Sequence, residues 1–172
     1  MMNDTNGFTS DEKKLIEHAR QRVLEICKRR KSRNLYDTIV AFVLSYSGNI
    51  YEGIPLELPS GIGFCAERHA IANMILEETE KARIKILLLA WPVSESQIKP
   101  ITPCGACRMA ISEFGTNETT ILCSEFVRKV DGWEIFPKIW KFKIEDLYPH
   151  PWEDPWNRTQ NLNKMSLNRK MK

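Results

Sequence analysis

Two short segments hold the side chains best suited to chemistry: Phe64-Cys65-Ala66-Glu67-Arg68 and Pro103-Cys104-Gly105-Ala106-Cys107-Arg108. Three cysteine thiolates suit Zn²⁺. They fill three corners of its tetrahedron and leave the fourth open for water, which separates catalytic from structural zinc. Glu67, two residues after Cys65 and in the first turn of a helix, can lean over the metal without ligating it. A carboxylate there can take a proton from a zinc-acidified water, whose pKa falls toward about 7, and deliver it to a ring nitrogen and a leaving amine. Three thiolates give the complex a net negative charge, which weakens that acidification. Arg68 and Arg108 flank the ligands and are expected to restore it by hydrogen bonding to the sulfurs. The pair Cys104-x-x-Cys107 alone also fits a redox dithiol or half a structural zinc site; Cys65-x-Glu67 upstream and Pro103 before the pair favour the catalytic reading.

Both segments sit where a loop meets a helix, so two helix N-termini point at the site and favour thiolate over thiol. Thr9 or Ser10 caps a first helix that carries Asp11 and Glu12 in its opening turn. Leu15, Ala19, Val23, Ile26 and Cys27 recur along it at helical spacing, and it ends in the basic run 28–33. Residues 37–45 are β-branched and aromatic and predict a strand, 47–49 a turn, and 50–51 the start of a second strand. Pro55, Pro59, Gly61 and Gly63 predict a loop before a helix over about 65–81. A buried strand is expected over 84–91, a short helix over about 104–114, a strand over 119–123, and strand–turn–strand over 133–144. This order predicts an α/β fold: three layers, α/β/α, about a mixed sheet with an antiparallel first hairpin and parallel crossover units.

The chain has 172 residues, 42% hydrophobic and 27% charged, as expected of one soluble globular domain. Residues 1–150 are expected to form that domain, with 1–8 loose, and 151–172 a basic tail. Residues 157–172 hold Arg158, Lys164, Arg169, Lys170 and Lys172 and no acid, so the net charge of +3 comes from the tail and the body is slightly acidic. No apolar run approaches the roughly 20 residues of a membrane helix. The start shows no secretory pattern, so a cytoplasmic location is the default expectation. The five cysteines are unevenly spaced, which argues against a disulfide framework. Cys27 and Cys123 are expected to be buried core thiols, His69 to be structural or to belong to the substrate loop, and His18 and His150 to have no part in the chemistry.

The two segments resemble the Cys-Ala-Glu-Arg and Pro-Cys-Gly-x-Cys-Arg of the free-nucleoside cytidine deaminases, with the blasticidin S deaminases a close branch. The pairing of Cys-x-Glu with Pro-Cys-x-x-Cys is a known signature of zinc nucleobase deaminases. The first ligand, Cys65, is more similar to these small-molecule enzymes than to polynucleotide editors. The resemblance covers roughly residues 12–150, including Gly48 to Gly53 before the substrate loop and Glu145 to Pro149 near the end. It implies a five-stranded sheet, a zinc cofactor, a nucleoside-like substrate, and a homotetramer whose sites are completed by neighbouring subunits. It implies substrate contacts at Glu57, Pro55 and Ala66, with Cys65, Cys104 and Cys107 as zinc ligands and Glu67 as the catalytic group. The chain departs from the family at two places: Pro55 stands where the family has Asn in Gly-x-Asn-Val-Glu, and Thr38 where it has a ring-stacking Phe. Residues 94–100 are expected to be an insertion.

The leading expectation is therefore hydrolytic deamination of cytidine, deoxycytidine or a related aminopyrimidine nucleoside, with a blasticidin S-type analogue as one variant. An RNA deaminase using the basic tail and a non-catalytic zinc-thiolate protein are the alternatives from other classes.

Overall fold

In a computed structural model of the chain, residues 7–31, 38–56, 63–130 and 132–151 are described. Helix α1 (Ser10–Lys31) begins at a reciprocal cap. The Glu12 N–H donates to Thr9 Oγ1 (3.3 Å) and the Thr9 N–H to the Glu12 carboxylate (2.8 Å). Strands β1 (Val40–Ser45) and β2 (Ile50–Gly53) form the expected hairpin, followed by α2 (Ala66–Glu78) and a 3₁₀ turn at Thr79–Lys81. Then come β3 (Ile84–Val93), α3 (Gly105–Phe114), β4 (Thr120–Lys129), β5 (Gly132–Lys143) and a single turn, α4 (Ile144–Leu147).

The strand order is β2-β1-β3-β4-β5, and β3–β4 is the parallel pair. Alternation along the strands makes two cores. Val40, Phe42, Leu44, Ile86, Leu88, Leu122 and Phe126 face α1 through Leu15, Ile16, Ala19 and Val23. Ala41, Val43, Leu87, Leu89, Ile121 and Cys123 face Ala70, Ile71 and Met74 of α2 and Ile111 of α3. The fold is thus the expected three-layer α/β/α arrangement about a mixed five-stranded sheet, and α2 and α3 share one face. No helix among the described residues is long and apolar enough to cross a membrane.

Two contacts fix the hairpin that leads to the site. Glu52 of β2 accepts from Arg22 Nε (2.7 Å) and Nη2 (2.8 Å) and pairs with His18 Nε2 (2.9 Å), tying β2 to α1. On the opposite face, β2 meets α2 backbone to backbone at Gly53, where an added Cβ would lie 2.2 Å from the Ala66 carbonyl oxygen and 2.4 Å from the Ala70 nitrogen. Asn73 Nδ2 seals this seam by donating to the Glu52 carbonyl (2.9 Å).

The structure corrects the reading of 133–144. There is no turn: both halves of β5 pair with β4, and the register slips between Ser124 and Phe126. The extra residues form a bulge at Phe136 (φ +53°), beside Pro137, which has no N–H to lose. The same long partner carries β4 to Lys129, past its expected end. β3 likewise runs through Pro92 to Val93, because β1 starts at Val40 opposite Ala90 and no neighbour on that side needs the missing N–H. The basic tail and Cys27's side chain lie outside what is described.

Candidate active site

Helices α2 and α3 deliver the cysteines because both begin at one. Cys65 and Cys104 are the N-cap residues, each in extended conformation (ψ 158° and 167°). The N–H groups of His69 and Arg108 close the first turns onto their carbonyls (3.3 and 2.9 Å). Cys107 lies one turn inside α3 and is fully buried. The three sulfurs lie within 4.8 Å of one another, and Cys65 Sγ and Cys104 Sγ are 3.6 Å apart. Two sulfurs bound to one tetrahedral zinc at about 2.3 Å would be roughly 3.8 Å apart, so the spacing fits the metal. It is far beyond a disulfide bond, and all three cysteines are free.

The electrostatics point the same way. Burial raises the thiols of Cys65 and Cys107 above the ordinary thiol value, Cys107 the more. At Cys104 burial acts in that direction too, but the nearby N–H of Cys107 and the thiols of Cys107 and Cys65 outweigh it and lower the value. Three thiolates this close repel one another, and a divalent cation is the group that lets all three ionise. The donor set is three soft sulfurs with an open side, which fits zinc of the catalytic type.

Glu67 lies beside the cluster in the first turn of α2 and is 4% exposed. Burial pushes its carboxyl up, while the Cys107 thiol and the charge of Arg68 pull the other way. In front of these groups opens a cleft of about 520 Å³ whose lining includes Cys65, Glu67 and Cys104. The rest of its wall is mostly apolar: Ile39, Pro55, Leu56, Phe64, Trp91 and Ile101, with Thr102 as a hydroxyl.

The flanking residues are arranged differently from the sequence expectation. Arg108 does not reach for a sulfur. Its Nε donates to the Pro103 carbonyl (2.8 Å), Nη2 to Thr102 Oγ1 (2.8 Å) and Nη1 to the Leu147 carbonyl (2.9 Å). A planar fork with several donors suits this bracing role, which holds the ligand loop to α4. Arg68 is half-buried near Glu67, and its Nε is buried with no partner among the described residues. Ala66 is buried against the core, with its carbonyl over Gly53, and does not line the cleft. Pro55 does line it; Glu57 lies outside the described residues.

Thr38 is buried, and the neighbouring residue Ile39 faces the cleft instead. His69 braces the substrate loop: its Nδ1 pairs with the Ile54 carbonyl (2.9 Å) and Phe64 meets it edge-on. Cys123 is a core thiol, pushed up to about 12 by burial. Sequence reasoning missed Ile39, Trp91, Ile101 and Thr102 as cleft residues. Ile39 and Trp91 end apolar strands and read as core; only Thr102, next to Pro103, carried a local hint.

Three convergent sulfurs, with a buried carboxylate beside them at the same cleft, fit a mononuclear zinc site on an α/β/α scaffold. The family model of the cytidine and deoxycytidylate deaminase zinc-binding region matches residues 13–123, and the chain belongs to that family. It is 34% identical to a cytidine deaminase of Mycoplasma pneumoniae over 87 residues, which is 50% of this chain and 62% of that relative, less than two thirds of its length. The solved cytidine deaminase of Burkholderia pseudomallei has the same fold, with a TM-score of 0.59 at 20% identity over 84% of this chain and 100% of that one.

Proposed function

We propose that this protein is a zinc-dependent hydrolase that removes the exocyclic amine of cytidine, deoxycytidine or a related aminopyrimidine nucleoside and releases it as ammonia. The observation that carries the reading is Glu67: a carboxylate buried beside three metal-binding sulfurs and open to a cleft. Cys65, Cys104 and Cys107 would hold zinc, which would supply a Lewis-acidic centre able to make water a nucleophile near neutral pH. The carboxylate of Glu67 would take one proton from that water as its oxygen bonds to the amine-bearing carbon and pass it to the adjacent ring nitrogen, then take the second proton from the new hydroxyl and give it to the amine, so that the C–N bond breaks, the carbonyl forms and ammonia leaves. Burial raises the Glu67 carboxyl above its ordinary value. The apolar walls keep bulk water from competing for these steps.

The substrate loop favours a second reading of the sugar site. Pro55 lines the cleft and offers neither a side-chain amide nor an N–H to a ribose hydroxyl. A ligand with a different sugar, as in blasticidin S, suits such a wall. We also take the protein to be a cytoplasmic homo-oligomer, a tetramer by family resemblance, with exposed Leu76, Ile98, Met109 and Val130 as apolar surface available for assembly.

The deciding experiment is ammonia release by the zinc-loaded full chain from cytidine, deoxycytidine, cytosine and blasticidin S, repeated with Pro55→Asn. Zinc-dependent turnover of any of these supports the reading, and a gain for cytidine in Pro55→Asn supports the account of the sugar site. Zinc-loaded, folded protein that releases no ammonia from the whole panel would overturn it.

A further inference from the structure

One wall of the cleft is a single row across the end of the sheet. Ala41 pairs with Gly53, and Val40 with Ala90. Carried to the residues just beyond these pairs, the two registers bring Pro55, Ile39 and Trp91 side by side, and all three line the cleft. Ile39 and Trp91 pack on the same core face as Ala41 and Leu89, the face from which α2 and α3 present the cysteines. Trp91 is the aromatic member of this row.

Its indole has a second feature. Nε1 is buried and has no acceptor among the described residues. Glu125 sits opposite Trp91 in the β3–β4 register, but its carboxylate is taken by Ser96 Oγ and by the Gln97 N–H (3.0 Å). A buried donor without a partner costs stability, and a phenylalanine would fill the same wall without that cost. The ring itself is half-buried and lines the cleft, where a ligand can cover it.

We propose that Trp91 is a specificity-determining residue of the cleft: its ring is the face on which a planar heteroaromatic ligand lies. This rests on the deaminase reading and adds to it the shape of the substrate. A flat unsaturated ring is accepted, and saturated or open-chain amines are not, because they offer no face to stack.

The test uses the zinc-loaded full chain with cytidine and uridine as probes. Binding of uridine quenches tryptophan fluorescence in the wild type, and Trp91→Phe removes most of that quench although the other tryptophans remain. Trp91→Phe raises KM for cytidine about threefold with kcat within about twofold, and Trp91→Leu, which has no ring, raises KM about tenfold. The thermal midpoint of Trp91→Phe stays level or rises, since the orphan donor is gone; a merely structural tryptophan would show a fall. An unchanged KM in Trp91→Leu, a joint fall of kcat and thermal midpoint without a KM change, or no quench by either probe would overturn the assignment. Uridine quenching through Trp91 without ammonia release from any of cytidine, deoxycytidine, cytosine and blasticidin S would overturn the deaminase reading and leave Trp91 as the stacking face.

Discussion

The carbonyl oxygen of Ala66 occupies the space where a side chain on Gly53 would begin, 2.2 Å from an added Cβ. Strand β2 and helix α2 therefore touch through their backbones, next to Cys65 on one side and Pro55 on the other. Gly53→Ala is expected to destabilise the fold by about 2–3 kcal/mol, because neither backbone can yield without moving the sheet edge or the helix. It should also weaken zinc retention, since the displaced helix carries the first ligand. Urea melts and zinc content after dialysis measure the two effects.

Replacing Cys65, Cys104 or Cys107 by Ser is expected to remove the metal, from about one zinc per chain in the wild type to near none. Elemental analysis of the purified variants checks this. Cys123→Ser serves as the control: it lies outside the cluster and should keep its zinc while losing some stability from the buried hydroxyl.

Glu67→Gln should retain zinc and fold while turnover drops by at least about 10²-fold, because an amide cannot shuttle a proton. Burial penalises the ionised carboxylate, so the neutral amide is expected to leave the thermal midpoint level or higher. Turnover within tenfold of the wild type would remove Glu67 from the proposed role.

Arg108→Lys keeps the charge but loses the fork that joins Pro103, Thr102 and Leu147. A loss of about 2–3 kcal/mol in stability is expected, because at least one buried carbonyl is left without its donor. Zinc affinity should fall about 10- to 100-fold, since Pro103 sets the position of Cys104. Competition with a chelator measures the second effect.

Glu52 gives the stability a definite pH dependence. The hydrogen bond from Arg22 lowers its pKa below the usual 4.5, against burial and with help from His18. A carboxylate depressed in the folded state stabilises at pH values above its unfolded pKa, and that contribution is lost as pH falls through the folded value. The stability gap between wild type and Glu52→Gln should therefore be full at pH 6–7, begin to shrink below about pH 4.5, and close at lower pH. Urea titrations across that range would show an unchanging gap if the Arg22–Glu52 pair does not titrate with folding.

The zinc cluster was legible in the sequence because its chemistry is local. Cys65, Glu67, Cys104 and Cys107 sit at helix starts, where spacing within one turn fixes which side chains face the same way. The layer order was legible for a similar reason, since period-two and period-3.6 patterns mark the buried face of each strand and helix. What the sequence could not supply were relationships that exist only between segments far apart in the chain. β5 looks like two strands around Pro137 until β4 pairs with both halves and absorbs the excess residues as a bulge. Arg108 looks like a ligand's neighbour until α4 folds back and offers the Leu147 carbonyl. Trp91 reads as the end of a core strand, and only the registers that set it beside Ile39 and Pro55 turn it toward the cleft. Residue types and short spacings determined the metal-binding sulfurs and the carboxylate beside them; long-range strand pairing decided the shape of the space in front of them.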